Sequence, residues 1–149
     1  MSLSERINAD VKDAMRARDK QRLGVLRMVT AAIKQREVDE RTTLDEPAVM
    51  AVLEKMLKQR RESVSQYVKG GRDDLAAVER AEIDIISGYL PEKLSPEETA
   101  ALIENAISQT GAEGPRDMGK VMAWLKQAAG AQLDMGAASS AVKARLGQN

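Results

Sequence analysis

The chain has 149 residues, with 23 Lys and Arg balanced by 23 Asp and Glu, and it contains neither His nor Cys. The missing side chains exclude thiolate nucleophiles, histidine general bases, disulfides and zinc sites of the usual kind. With two Tyr, one Trp and no Phe, the core must consist of aliphatic residues and Met, which mostly favour helices. We expect one domain or two small ones, without a cofactor or a metal.

The start of the chain carries no targeting signal that we recognise. Residues 1–6 lack the apolar stretch of a signal peptide, and the apolar run over residues 48–53 is far shorter than a membrane span of about 20 residues. We therefore predict a soluble, cytoplasmic protein that does not enter a membrane.

Charge is distributed unevenly along the chain, although it sums to zero. Residues 1–72 hold 16 basic and 11 acidic side chains, and residues 73–149 hold 7 and 12. The basic half could guide the chain toward a polyanion such as tRNA, or these charges could line solvated helix faces and pair with each other. We favour the second interpretation.

Residues 1–90 show a succession of helix signals. Ser2 with Glu5 predicts a capped helix start, and Pro47 after two acidic residues predicts another. Apolar residues then recur at helical spacing and define four predicted buried faces. These faces are Ile7, Val11, Ala14 and Met15; Leu23, Leu26, Val29 and Ile33; Val49, Val52, Leu53, Met56 and Leu57; and Leu75, Val78, Ile85, Ile86 and Tyr89.

Gly70 and Gly71 predict the turn between the third and fourth helices, because glycine tolerates the left-handed conformation that ends a helix. We expect Asp73 to cap the fourth helix. A phosphate-binding loop is the alternative, but the sequence lacks the lysine–hydroxyl pair of such loops, and Asp73 and Asp74 would repel a phosphate. A tight turn is the better interpretation.

A hairpin that folds at this turn would bring Arg60 and Arg61 toward Glu79 and Glu82. Pairs of this kind specify register more than they add stability. The two glutamates, or Asp73 with Asp74, could also act in acid–base chemistry or bind Mg²⁺, but no nucleophile accompanies them. We interpret them as surface carboxylates.

Leu90-Pro91 predicts a domain boundary, since the residue before a proline is disfavoured in a helix. Ser95, Pro96 and Glu98 form the clearest helix start in the sequence. Three helices follow, with apolar faces at Leu102, Ile103, Ala106 and Ile107; Met118, Val121, Met122 and Leu125; and Ala138, Val142 and Leu146, separated by Gly111, Asp117, Gly130 and Asp134. We predict an all-α protein: about four helices as hairpins or a bundle in residues 1–90, and a compact three-helix bundle in residues 91–149.

Several short motifs together suggest a family. They are Lys58-Gln59-Arg60-Arg61-Glu62-Ser63, Tyr67, Gly70-Gly71-Arg72, Asp74-Leu75, Glu79, Glu82, Tyr89-Leu90-Pro91 and Asp117-Met118-Gly119-Lys120-Val121-Met122. The chain resembles the GatB/YqeY family, small helical proteins similar to the tail of the B subunit of tRNA-dependent amidotransferases. The resemblance extends from Leu26-Arg27-Met28 to Val142-Lys143.

The resemblance implies a family label, carbon–nitrogen ligase with glutamine as amido-N donor, and a place for residues 91–149 as the tail-like domain. In the amidotransferase the kinase-like chemistry belongs to a separate, larger domain, which these 149 residues do not include. The label would therefore be inherited, and we name no catalytic residue. The loop over residues 130–135 looks one residue longer than the family pattern.

The resemblance also implies a tRNA surface, because the corresponding bundle of the amidotransferase contacts tRNA away from the reactive end. Carried over to this sequence, the tRNA-binding candidates are Lys120, Lys126 and Lys143, and we add Arg145 because it lies near Lys143. Gly119 inside a helix costs about 1 kcal/mol relative to Ala. Its reason is close helix packing, a position at the helix start, or room for a phosphate beside Lys120.

A second set of candidate phosphate contacts lies on the third helix. Lys58 and Arg61 share a helix face, as do Lys55 and Lys58. Such a ridge would neutralise phosphates and release counterions on binding nucleic acid. The same residues would equally form a solvated face, and the balanced net charge predicts weak tRNA binding.

Three functions follow, in order of preference. The first is a non-catalytic accessory module that contacts tRNA or a tRNA-modifying complex of amidotransferase type. The second is a protein–protein adaptor without nucleic-acid binding, which would use Trp124, a residue type enriched at interface hot spots that here lies beside the buried stripe of its helix. The third, a small enzyme, we rank last.

Overall fold

A computed structural model describes residues 1–147, and throughout that range the regular structure is helical, without a strand. Seven α-helices follow one another, and two 3₁₀ turns, Pro115–Asp117 and Gly130–Gln132, flank the sixth. The helices are α1 (Leu3–Ala17), α2 (Lys20–Glu40), α3 (Glu46–Lys69), α4 (Asp73–Ser87), α5 (Pro96–Thr110), α6 (Met118–Ala129) and α7 (Met135–Leu146). The predicted all-α class is confirmed.

The chain divides into two units, Met1–Leu90 and Pro91–Asn149. We call them the N-terminal unit, which contains α1–α4, and the C-terminal unit, which contains α5–α7. Each unit has its own cluster of buried apolar side chains.

Side-chain caps start α1 and α3 where the sequence predicts these helices to begin. Ser2 Oγ accepts the backbone N–H of Glu5 at 3.1 Å, and Asp45 caps α3, with proline in its first turn. The buried core then comes from one face of each helix. It contains Leu3, Ile7, Ala14, Val25, Leu26, Val29, Ile33, Val49, Val52, Leu53, Met56, Leu57, Ile86 and Tyr89.

Three local predictions in this unit are wrong. Met15 is 51% exposed, because it lies about 100° around α1 from the buried Ala14. Val78 is 54% exposed, since it lies in the half of α4 that contributes nothing to the core cluster. The fully buried residue in that half is Ala76. Asp73 does not cap α4: it is the first residue of the helix, and no side chain caps the position before it.

Three helix ends of the N-terminal unit adopt the left-handed backbone conformation. At the α3–α4 turn, Gly71 has a φ of 72°, as the paired glycines predict. The first two helices instead end on non-glycine residues, Arg18 with a φ of 57° and Arg41 with a φ of 53°. The left-handed conformation costs free energy at both of these residues because they carry a Cβ, and the sequence does not predict it there.

The C-terminal unit begins with the predicted capping box. Ser95 Oγ accepts the N–H of Glu98 at 3.1 Å, and the Glu98 carboxylate accepts the N–H of Ser95 at 3.1 Å. Gly111 ends α5, and Asp134 caps α7. The buried core of the unit is Ile103, Ala106, Ala112, Val121, Leu125, Leu133, Ala138, Val142 and Leu146.

Candidate functional site

Two of the predicted tRNA-binding lysines lie on one shallow groove of the C-terminal unit. Lys120 and Lys126, both on α6, line a depression of about 670 Å³ together with Trp124. Thr110 at the end of α5 contributes to the same wall. Two lysine side chains and the tryptophan therefore line the same groove.

Trp124 is partly exposed, as its position beside the buried stripe of α6 predicts. Its indole packs against the core cluster on one side and lines the groove on the other. A half-exposed tryptophan that shares a groove with two lysines offers an aromatic face and positive charge to the same ligand.

Lys120 already has an acidic neighbour. Its Nζ lies 3.5 Å from Asp117 Oδ1, and the lysine side chain is 51% exposed. Asp117 also accepts the backbone N–H of Glu113 at 2.9 Å, which closes the loop before α6. The Glu113 N–H is the main cause that lowers the pKa of Asp117, and the charge of Lys120 lowers it further.

The other two candidates in this unit lie elsewhere. Lys143 is exposed on α7 and is not among the residues that line the groove. The Arg145 guanidinium donates to both carboxylate oxygens of Glu104, at 2.5 and 3.3 Å, which ties α7 to α5. The structure thus assigns Arg145 a role in packing α7.

Gly119 occupies an exposed position, the second residue of α6. A Cβ added there would meet nothing within 4 Å. Close helix packing, one of the three reasons considered for this glycine, is therefore wrong. Its place at the helix start is observed, and open space lies beside Lys120.

The predicted basic ridge lies on α3, in the N-terminal unit. Lys58 and Arg61 are both exposed there. The neighbouring Arg60 instead turns toward α4, and its Nε donates to Glu82 Oε2 at 2.9 Å, with side-chain exposures of 12% and 19%. Of the predicted pairs across the hairpin, this one forms, while Arg61 and Glu79 make no salt bridge among residues 1–147. The turn at Gly70 and Gly71 only reverses the chain.

A partly exposed polar cluster around the buried Tyr89 in the N-terminal unit is not apparent from the sequence. The Tyr89 hydroxyl donates to Asp10 Oδ2 at 2.5 Å, and Arg22 lies 3.5 Å from the same carboxylate. The Arg6 guanidinium stacks 4.8 Å from the centre of the Tyr89 ring and donates to Gly88 O at 3.3 Å. Burial and the bond to Asp10 raise the pKa of Tyr89. The cluster joins residues 79 positions apart, so no local pattern could indicate it.

A cleft of about 810 Å³ in the N-terminal unit lies between the start of α1, α2 and the loop before α3. Two of its carboxylates already accept backbone N–H groups: Glu46 binds Leu3 N at 2.6 Å, and Glu37 binds Leu44 N at 2.9 Å. These carboxylates therefore have structural roles in holding the loop.

Among residues 1–147, no group of three or more His, Cys, Asp or Glu side chains is placed to hold a metal ion. Within the same range, every helix is too short or too polar to cross a bilayer.

Fold and surface together define a small two-unit helical protein with an aromatic–cationic groove on its second unit. Residues 4–146 match the family model described as Yqey-like protein. The chain belongs to the YqeY-like family, and the predicted GatB/YqeY membership is confirmed.

Similar proteins occur in fungi. The chain is 33% identical over 144 residues to "Altered inheritance of mitochondria protein 41, mitochondrial" of Eremothecium gossypii, an alignment that covers 94% of this chain and 78% of that protein. It is 31% identical over 147 residues to the protein of the same name in Lachancea thermotolerans, covering 94% and 76%. The match in Meyerozyma guilliermondii is 38% over 103 residues, covering 69% and 53%.

These relatives contradict the predicted cytoplasmic location. Their shared name identifies them as mitochondrial proteins. The prediction was wrong because it relied on a missing signal peptide, a feature that does not distinguish the cytoplasm from other Cys-poor, reducing compartments.

Proposed function

We propose that this protein is a non-catalytic helical accessory module that contacts tRNA, alone or within a tRNA-modifying complex of amidotransferase type. The observation that carries the proposal is the groove on α6, which Trp124, Lys120 and Lys126 line together. Aromatic side chains stack on unpaired bases, and lysines neutralise the flanking phosphates.

The six candidate cations contribute unequally in this proposal. Lys120 and Lys126 make the primary contacts because they share the groove with the tryptophan. Lys143, exposed on α7, adds a peripheral contact. Arg145 contributes least, because Glu104 already occupies its guanidinium.

Lys58 and Arg61 form a second basic surface on the N-terminal unit. They reach the same ligand only if the tRNA extends over both units. Their removal is therefore expected to weaken binding less than removal of the lysines in the groove.

The test is binding of the full chain to bulk tRNA across a salt series, followed by the fluorescence of Trp124, the single tryptophan. We expect weak, saturable binding with quenching of the indole. Lys120→Ala/Lys126→Ala should lower the slope of log K against log salt by about 1.5, since each lost phosphate contact removes about 0.7–0.9. The charge-matched control Lys12→Ala/Lys20→Ala, in the N-terminal unit, should leave Trp124 quenching by tRNA intact.

Stacking is tested separately from charge. Trp124→Leu should weaken tRNA binding by about 5-fold or more, because stacking of one base contributes about 1–3 kcal/mol. Trp124→Phe should retain most of the affinity. Absence of tRNA binding at about 50 mM salt, where phosphate contacts are strongest, would refute the stand-alone version.

A protein–protein adaptor is the second candidate, and the same half-exposed Trp124 favours it. A partner would cover the indole and bury it at the centre of an interface. In that case Trp124→Leu abolishes capture of the partner, while Lys120→Ala/Lys126→Ala has little effect on it.

A further inference from the structure

The hairpin of α3 and α4 extends beyond the core of the N-terminal unit. On α3, the residues of the core cluster end at Leu57, and on α4 the cluster and the side chains packed against it begin only at Ile83. Between these points, residues 58–82 include one fully buried side chain, Ala76. We call residues 61–81 the arm; the half-buried pair Arg60–Glu82 lies at its base.

The apolar face of each helix continues into the arm, where it is only partly covered. Along α3, burial is nearly complete from Val49 to Leu57 and then declines, so that Tyr67 is half-buried and Val68 is 46% exposed. Along α4, Leu75 is half-buried and Val78 is 54% exposed. An amphipathic stripe that outlasts its packing partners is the pattern of a helix face that binds another helix.

Charge in the arm is divided between its two helices. Residues 61–72 carry three basic and one acidic side chain, and residues 73–81 carry three acidic and one basic. Arg72, in the turn, already pairs with Asp74 of the same chain at 3.0 Å, which leaves Arg61 and Lys69 on α3, and Asp73 and Glu79 on α4, for contacts with a partner. One side of the arm is therefore positive and the other negative. Such a surface is complementary to itself when a two-fold axis places the basic helix of one copy against the acidic helix of another.

We propose that the arm pairs with the arm of a second copy of this chain and forms a four-helix bundle with two-fold symmetry. Val68 of one copy lies near Val78 of the other, and the basic end of α3 faces the acidic start of α4. The arm helices are only about 14 Å long at 1.5 Å per residue. Stable dimers bury about 800 Å² of surface per partner, and helices of this length offer less than that. The dimer is therefore weak, and its population depends on the protein concentration.

Disulfide trapping tests the contact directly, because the chain has no cysteine of its own. A mixture of Val68→Cys and Val78→Cys chains should form the mixed disulfide dimer under mild oxidation. Val38→Cys is the matched control, since Val38 is likewise an exposed valine, at 60%, and lies on α2, outside the arm. Equal yields of cross-linked dimer from the control and the arm variants would overturn the proposal.

Sedimentation equilibrium of the full chain gives an independent readout. Val68→Ser/Val78→Ser should weaken the dimer at least about tenfold, because two apolar contacts are lost, and Val38→Ser should not. Lys69→Glu should weaken it too, and mixing that variant with Asp73→Lys chains should restore a mixed dimer. If the chain stays monomeric up to about 0.5 mM, the proposal is refuted, and the apolar stripe would bind a different partner.

Discussion

Removal of the Tyr89 hydroxyl is expected to destabilise the N-terminal unit by about 1–2 kcal/mol. The hydroxyl donates to Asp10 at 2.5 Å, and Tyr89 is only 6% exposed, whereas the Asp10 side chain is 22% exposed. A hydrogen bond to a charged group contributes about 1.5–3 kcal/mol, and the partial exposure of the carboxylate lowers that range. Arg22 remains within 3.5 Å to partner Asp10 in the variant, which limits the loss further.

The assay is urea unfolding of Tyr89→Phe followed by far-ultraviolet circular dichroism, with linear extrapolation to water. Tyr67→Phe removes the same atom from a half-exposed ring and serves as the control. A double-mutant cycle with Asp10→Asn isolates the bond from other effects of each substitution. Equal losses from the two Tyr→Phe variants, or a coupling below about 0.5 kcal/mol, would refute the assigned role of the hydroxyl.

The same bond predicts a pH dependence. Burial first, and then the bond to Asp10, raise the pKa of Tyr89 above its ordinary value of 10.0. The unfolded chain therefore loses this proton at lower pH than the folded one does. The stabilisation is complete below pH 10 and is lost as pH rises through the raised pKa, so Tyr89→Phe should unfold with a shallower pH dependence in that range.

Three other substitutions test the fold. Gly24→Ala, at an exposed position within α2 where a Cβ meets nothing within 4 Å, should raise the free energy of unfolding by about 0.5–1 kcal/mol. Gly71→Ala, at a φ of 72°, should lower the free energy of unfolding by about 1–2 kcal/mol. Equal effects of the two substitutions would contradict the helix assignment. Arg60→Met should lower the free energy of unfolding by about 2–3 kcal/mol by leaving Glu82 half-buried without its partner, with partial recovery when Glu82→Gln is added. Ser95→Ala should cost about 1 kcal/mol in urea unfolding followed by tryptophan fluorescence, and no loss would contradict the capping box.

Local chemistry made most helix starts predictable. Ser95 and Asp134 cap helices where their residue types and spacing indicate, since capping depends on atoms within three residues of each other. The ends of α1 and α2 were harder to predict from the sequence, because Arg18 and Arg41 adopt left-handed conformations without the glycine that is typical of such a position.

Burial and long-range contacts were harder to predict. Helical periodicity identifies which residues share a face, but it does not say how far along the helix a partner extends, so Val78 was wrongly placed in the core. The cluster of Asp10, Arg22 and Tyr89 depends on three helices that meet in space. Of the candidate site, Lys120 and Lys126 do line one groove with Trp124, but their spacing alone could not establish that shared groove.

The partly covered stripe of the arm also has a consequence for motion. Backbone amides of α3 at residues 49–57 lie over the packed core, and their hydrogen exchange should require opening of the whole unit. Amides at residues 61–69 lie beyond the core cluster, so they should exchange through local fraying that starts at the glycine turn. The Arg60–Glu82 ion pair lies at the boundary between these two segments. We therefore expect the amides of one continuous helix, α3, to exchange at two different rates on either side of it.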